Sequence, residues 1–296
     1  MIKVENLTKS YDQIKAVDNI SFEISAGESF GLLGSNGAGK TTTLNLLVGI
    51  LHPDSGSIHI NGVKDPTQAE LRREIGSSPQ SIALYDDLTA DENIRFFGKL
   101  YNLTGTQLKE RVNFCLEIVG LTSRRWDQVK TFSGGMKRRL NLACAIVHEP
   151  QVLLLDEPTV GVDPQSRNLI FENIESLKKE GRTIIYTTHY MEEAQRLCDR
   201  VAIIDHGRIL ALDTVERLIT NYGGQSVIEA ELAGAIPEGI DFPGQLTGSK
   251  LRIETDQPME IITRLSATGV KFRKIHIEQA DLENVFLNLT GRRLRD

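Results

Sequence analysis

One octapeptide constrains this chain more than any other feature. Residues Gly34-Ser35-Asn36-Gly37-Ala38-Gly39-Lys40-Thr41 fit the pattern G-x-x-x-x-G-K-[ST] at every position. The pattern has force only where it follows a strand and opens a helix. Here Glu28-Ser29-Phe30-Gly31-Leu32-Leu33 reads as the strand, and Thr41 to Val48 reads as the helix. Glycines let the backbone curl so that successive N–H groups face one anion. The helix N-terminus adds partial positive charge. Lys40 supplies a full charge to β- and γ-phosphates, and the Thr41 hydroxyl is a hard oxygen ligand suited to Mg²⁺. Thr42, one residue further on, is counted with the phosphate-binding set.

A second acidic feature complements the first. Val152-Leu153-Leu154-Leu155-Asp156-Glu157 is an apolar strand ending in two acids. In an open parallel sheet, ligands sit beyond the carboxyl ends of the strands. Asp156 is therefore expected beside a Mg²⁺ ion, holding it through its water shell. Glu157 is expected at the mouth of the same crevice, orienting and activating an attacking water.

The rest of the chain supplies the scaffold. Over the first ~220 residues, short apolar strands alternate with helical patterns, which predicts an α/β fold with a mostly parallel sheet. Ile2 to Leu7, Ala16 to Ile24 and Glu28 to Leu33 read as an antiparallel β layer at the start. Gly56 to Gly62 reads as a hairpin, because Asn61-Gly62 is a strong turn signal. From Thr89 to Gly120 the apolar spacing is helical throughout. Thr183-Ile184-Ile185-Tyr186 is a second continuous apolar strand, followed by a strand pair at Arg200 to Asp205 and Arg208 to Leu212, turned at His206-Gly207. Asn221-Tyr222-Gly223-Gly224 reads as a linker. Beyond it, strands at Ser226 to Leu232, Lys250 to Thr255 and Val270 to Glu278, with helices at Pro258 to Ala267 and Leu282 to Leu289, make a small α+β unit. The expected domains are residues 1–220, with a helical subdomain at about 89–145, and residues 225–296.

Composition narrows the partners. The formal net charge is −6, whereas a duplex-binding protein is more often basic, so nucleic acid is not the expected partner. The basic runs Lys137-Arg138-Arg139 and Arg292-Arg293-Leu294-Arg295 read as a solvated helix face and a charged tail. Cys115, Cys144 and Cys198 are far apart and form no C-x-x-C pair, which fits reduced, buried thiols in a cytosolic compartment. The start, Met1 to Leu7, reads as an alternating strand rather than a signal peptide. No apolar run approaches the ~20 residues that a spanning helix needs.

A phosphate loop alone leaves kinases, GTPases, helicases and recombinases open. Phe132-Ser133-Gly134-Gly135-Met136, followed by Lys137-Arg138-Arg139, narrows the field. It resembles the signature motif of ABC ATPases, most often L-S-G-G-Q, at that family's distance before Asp156. Phe132 replaces Leu and Met136 replaces Gln, a variant similar to the drug- and antibiotic-exporting branch. The resemblance implies a P-loop NTPase core with an antiparallel β layer and a helical subdomain. It implies ATP as the nucleotide, with Tyr11 stacking on adenine. Ser133, Gly134 and Gly135 would complete the ATP site of a second copy of the chain. Gln80 would touch Mg²⁺ and the water and sense a permease. Val160-Gly161-Val162-Asp163 would communicate between subunits, and His189 would be a γ-phosphate switch. Asp281 to Gly291 is similar to the ending of drug-resistance-type exporter ATPases. Lys40, Gln80, Glu157 and His189 are the expected catalytic set, and Thr41, Gln80 and Asp156 the expected metal ligands. The implied protein hydrolyses ATP in the cytoplasm, at the inner face of the membrane, bound to an integral membrane permease. A soluble relative acting on nucleic acid or ribosomes is the alternative.

Overall fold

Continuous and alternating apolar runs sort the strands into two kinds. The computed structural model describes residues 2–234 and 244–291. Its first part runs β1 (Ile2–Tyr11), β2 (Ile14–Ile24), β3 (Ser29–Leu33), α1 (Lys40–Leu47), β4 (Ser55–Ile60), α2 (Ala69–Glu74), β5 (Ile75–Ser78), α3 (Ala90–Leu100) and α4 (Gly105–Ile118). It continues with α5 (Gly134–Ile146), β6 (Val152–Asp156), α6 (Pro164–Lys179), β7 (Thr183–Thr188), α7 (Met191–Leu197), β8 (Arg200–Asp205), β9 (Arg208–Thr214) and α8 (Val215–Tyr222).

Strands β3, β6 and β7 are buried at every residue. They lie inside a six-stranded sheet of order β5-β6-β7-β3-β8-β9, parallel except for β9. This corrects one expectation. Glu28 to Leu33 does not extend the antiparallel layer; β3 pairs in parallel with β7 and β8. A strand without a polar face has both sides covered, which suits the interior of a parallel sheet. The antiparallel layer has the order β2-β1-β4 instead. Asn61 (φ 49) and Gly62 (φ 84) do make a tight turn, closed by reciprocal Ile60–Val63 hydrogen bonds of 2.9 Å. The expected hairpin stops at that bridge, and β4 pairs with β1. Inward side chains of the layer, such as Ile2, Leu7, Ile24 and Ile60, share a core with Phe30, Leu32, Leu46 and Leu47.

The helical stretch breaks once, between α3 and α4, where Asn102 takes φ 64. Thr89 starts α3 with a capping box: its hydroxyl accepts from Glu92 N at 3.2 Å, and Glu92 Oε2 accepts from Thr89 N at 2.8 Å. The basic run at 137–139 is not a solvated face. Lys137 pairs with Asp86 at 2.7 Å, Arg138 donates to the Gln80 carbonyl, and buried Arg139 donates to the Val119 carbonyl at 2.6 Å. Helix α5 is enclosed on most sides, so Arg138 and Arg139 satisfy backbone carbonyls of neighbouring loops. The run Arg292 to Arg295 lies outside the described residues. Cys115, Cys144 and Cys198 are free and buried, and burial pushes the Cys115 and Cys198 thiols up to about 12.

The chain divides into two compact units, between Val215 and Glu216. The second takes in α8 from Glu216 onward and contains β10 (Ser226–Leu232), β11 (Gln245–Thr247), β12 (Lys250–Thr255), α9 (Pro258–Ala267), β13 (Phe272–Glu278) and α10 (Leu282–Thr290). Its antiparallel sheet has the order β11-β12-β10-β13, with Ile228, Ala230, Leu251, Ile253 and Leu265 at its core. Asp281 caps α10, and Leu282, Val285 and Phe286 are fully buried. No helix among the described residues is long and apolar enough to cross a membrane.

Candidate functional site

Strand β3 leaves the centre of the parallel sheet and runs into the loop Gly34–Gly39, which opens α1. Two glycines there are steric requirements. A Cβ on Gly34 would stand 2.3 Å from the Ile204 carbonyl oxygen, and one on Gly39, at φ 107, would stand 2.2 Å from that of Ala16. Neighbouring backbone thus walls the loop in. The N–H groups of Ser35, Asn36, Gly37 and Gly39 make no hydrogen bond among the described residues. Orphaned amides at the start of a helix form an anion cradle. Lys40, 5% exposed, donates to the carbonyls of Gly34 (2.8 Å) and Ser35 (3.0 Å) and pairs with Glu157 Oε1 at 3.1 Å.

The two acids end β6 as expected but differ in surroundings. Asp156 Oδ1 accepts from Thr187 Oγ1 at 2.6 Å, and this buried carboxylate forms no ion pair among the described residues. Glu157 takes φ 45, a left-handed backbone that costs a non-glycine residue on the order of 1–3 kcal/mol. Its N–H holds the turn by donating to Thr187, to the carbonyl at 3.2 Å and to Oγ1 at 3.0 Å. The turned side chain meets three partners: Lys40, Gln80 Nε2 at 3.1 Å and His189 Nδ1 at 3.2 Å. Burial alone would raise the Glu157 carboxyl, but the Lys40 charge and the Lys40 and His189 hydrogen bonds hold it below 4.5. Its folded value lies below its unfolded one. The stability it contributes is therefore complete above about pH 4.5 and is lost as pH falls through the folded value. Glu157→Gln removes that contribution. Between about pH 6 and about pH 3.5 the urea midpoint of the variant should fall less than that of the wild-type chain.

The structure therefore brings Lys40, Gln80, Glu157 and His189 into one cluster, with Asp156 tied in through Thr187. Thr41 is exposed and Thr42 half-buried on the first turn of α1. Tyr11 ends β1 and is 45% exposed. Ser133 caps α5 by accepting from Met136 N at 3.2 Å, and Ser133 and Gly134 are exposed. Among the described residues, no hydrogen bond or ion pair joins Ser133–Gly135 to Gly34–Thr42.

Sequence reasoning missed Arg138 and Asn141 on α5. Arg138 donates to the Gln80 carbonyl, and Asn141 Nδ2 donates to Ser78 Oγ at 2.9 Å. They tie the helix opened by Ser133 to the segment that carries Gln80. It also missed Thr187, which bridges Asp156 and Glu157, and Glu193, discussed below. Arg138 stands in the basic run after the signature motif, where no contact could be read for it; the others belong to no motif, and Arg138, Asn141 and Thr187 meet partners far away in sequence.

Comparison with known proteins identifies the family. Residues 17–160 match the family model described as ABC transporter. The Linearmycin resistance ATP-binding protein LnrL of Bacillus subtilis is 43% identical, over 100% of both chains. The Nod factor export ATP-binding protein I of Burkholderia pseudomallei is 43% identical, over 100% of this chain and 98% of its own. A post-hydrolysis dimer of an ATP-binding cassette, bound to ADP and Pi, is similar with a TM-score of 0.67 and 27% identity, covering 72% of this chain and 98% of its own. A subunit of an ABC transporter complex from Clostridium perfringens reaches 0.68 at 31% identity, covering 74% and 90%.

Proposed function

The chain belongs to the family of ABC transporter ATP-binding proteins, and from that premise we propose how its residues divide the work of hydrolysing ATP and driving export. One observation carries the reading: a single carboxylate, Glu157, meets Lys40, Gln80 and His189 at 3.1, 3.1 and 3.2 Å. The Gly34–Gly39 amides and Lys40 hold the phosphates, with Thr41 and Thr42 at the head of α1 and Tyr11 against the adenine. Glu157 orients the attacking water and takes its proton; Gln80 and His189 fix the direction of its carboxylate. Ser133, Gly134 and Gly135 of a second copy close over the γ-phosphate, because within one chain that loop faces outward.

The donors also suit Mg²⁺. Asp156, Thr41 and Gln80 offer hard oxygens, and the buried Asp156 carboxylate forms no ion pair among the described residues. No cluster of three His, Cys, Asp or Glu that could hold a metal occurs among the described residues. That agrees with an ion held by one carboxylate, a hydroxyl, water and phosphates. Bound there, the ion would neutralise charge on the phosphates.

The permease docks, in this reading, in a groove of about 270 Å³ lined by Ile50, Arg72, Pro79, Ala83, Phe97 and Tyr101. Ile82, Tyr85, Phe96 and Leu100 are exposed in the same region of the chain. Pro79 precedes Gln80, so a partner seated there acts on Glu157 through Gln80. The protein then sits on the cytoplasmic side of the membrane through that partner. Export follows the relatives, which are named for export and resistance rather than for action on nucleic acid.

The test is ATP hydrolysis over a series of protein concentrations. The rate per subunit should rise with concentration, since each site needs two chains, and EDTA should abolish it. A rate per subunit independent of concentration would contradict the shared site, and an EDTA-resistant rate would contradict the metal.

A further inference from the structure

Behind the hydrolytic corner lies a buried acid that no motif marks. Glu193, in the first turn of α7, is 2% exposed. Its carboxylate accepts three hydroxyl hydrogen bonds: Thr159 to Oε1 at 2.7 Å, Tyr186 to Oε2 at 2.8 Å and Thr188 to Oε2 at 2.7 Å. Arg167 Nε stands 3.9 Å from Oε1. Burying a carboxylate is unfavourable unless its lone pairs are used, and an apolar side chain would fill the space without that penalty. The identity of this residue therefore calls for a geometric reason.

The donors supply one. Thr159 lies two residues after Glu157, and Thr188 immediately precedes His189. Thr188 Oγ1 also accepts from Tyr190 N at 2.9 Å, so the His189 turn is held on both sides. Thr159 leads into the segment ending at Asp163, whose carboxylate accepts from Ser166 N at 2.9 Å to cap α6. That cap stands directly behind Gly135: a Cβ there would meet Ser166 Oγ at 2.4 Å and Asp163 Oδ2 at 3.2 Å. One carboxylate thus links the segments bearing Glu157, His189 and, through the α6 cap, the Ser133 loop.

We propose that Glu193 is a positioning residue for ATP hydrolysis, locking the Glu157 loop and the His189 turn into one body. The proposal rests on the roles assigned above to Glu157 and His189. Both carboxylate oxygens of Glu193 act as acceptors here, and together they fix the direction of all three hydroxyls. A carboxamide of the same shape has one acceptor and two donor hydrogens, so at least one hydroxyl must turn away. None of these contacts involves Gly34–Thr42, so the proposal separates the chemical step from nucleotide binding.

The experiment uses the full chain with Glu193→Gln and, separately, Thr159→Val, which removes only the hydroxyl joining the Glu157 loop. Each should lower kcat roughly ten- to a hundred-fold, the scale of a small misplacement of reacting groups, with KM and the Kd for ATP within about two-fold of wild type. Wild-type kcat in folded variants would overturn the proposal. So would parallel losses of kcat, ATP affinity and Tm, which mark a structural role. If Glu193→Gln fails to fold, Thr159→Val decides by the same criteria. Glu157→Gln and His189→Ala are measured alongside. If they keep turnover, the assigned roles fail; if they lose it while Thr159→Val and Glu193→Gln do not, only the role of Glu193 fails.

Discussion

Glu157→Gln should reduce ATP turnover by roughly a hundred- to ten-thousand-fold, the range of a positioned general base, while ATP binding survives. The geometry separates the two effects. The amide keeps an acceptor for Lys40 and His189, which now meet Glu157 Oε1 at 3.1 and 3.2 Å, but it cannot take a proton. Removing one partner of a buried ion pair can cost about 3–5 kcal/mol. Here the loss should be smaller, because Lys40 also donates to the Gly34 and Ser35 carbonyls. The phosphate loop keeps its shape and its amides. If hydrolysis is the step that releases the closed pair, the variant should also accumulate as an ATP-bound dimer. Phosphate release, equilibrium nucleotide binding and size-exclusion chromatography in MgATP check the three parts. Turnover near the wild-type rate would remove Glu157 from its assigned role.

Much of this site could be read before the fold was known, and the reason is local. The phosphate loop is specified by steric demands on consecutive residues, so Gly34, Gly39 and Lys40 carry their meaning in the sequence. Asp156 and Glu157 are legible because a strand rich in apolar residues ends in charge. Gln80 and His189 are different: an isolated glutamine or histidine says nothing, and only the family pattern marked them. Their convergence on Glu157 depends on β5, β6 and β7 lying side by side, which no local signal encodes. Glu193, Thr187 and Arg138 were invisible for the same reason. Two misreadings also have physical causes. The Glu28–Leu33 strand was grouped with its neighbours in sequence, although its unbroken burial belongs to a parallel interior. The 137–139 cations were assigned to solvent, although carbonyl-rich loops surround α5.

Two inactive variants should restore activity when mixed. Lys40→Ala removes the cation of the phosphate loop but leaves Ser133, Gly134 and Gly135 intact. Gly135→Ala leaves the phosphate loop intact and damages the other half. Its new Cβ would lie 2.6 Å from Ser166 Cβ, an atom fixed by the first turn of α6, so the backbone of the Ser133 loop must move. Each variant alone should turn over ATP at least about a hundred-fold more slowly, since every site in its homodimer is defective. In the mixed dimer, the phosphate loop of the Gly135→Ala chain faces the Ser133 loop of the Lys40→Ala chain, and that one site is whole. The opposite site carries both lesions. Activity in a titration of one variant into the other should therefore rise to a maximum near equal amounts, at no more than about half the wild-type rate per dimer. Binding distinguishes the lesions beforehand: Gly135→Ala should bind ATP as a monomer, and Lys40→Ala should not. A flat titration with both lesions confirmed would mean either that one intact site cannot turn over alone or that the two loops serve the same chain. The second reading conflicts with an exposed Ser133–Gly134 that makes no hydrogen bond to its own phosphate loop.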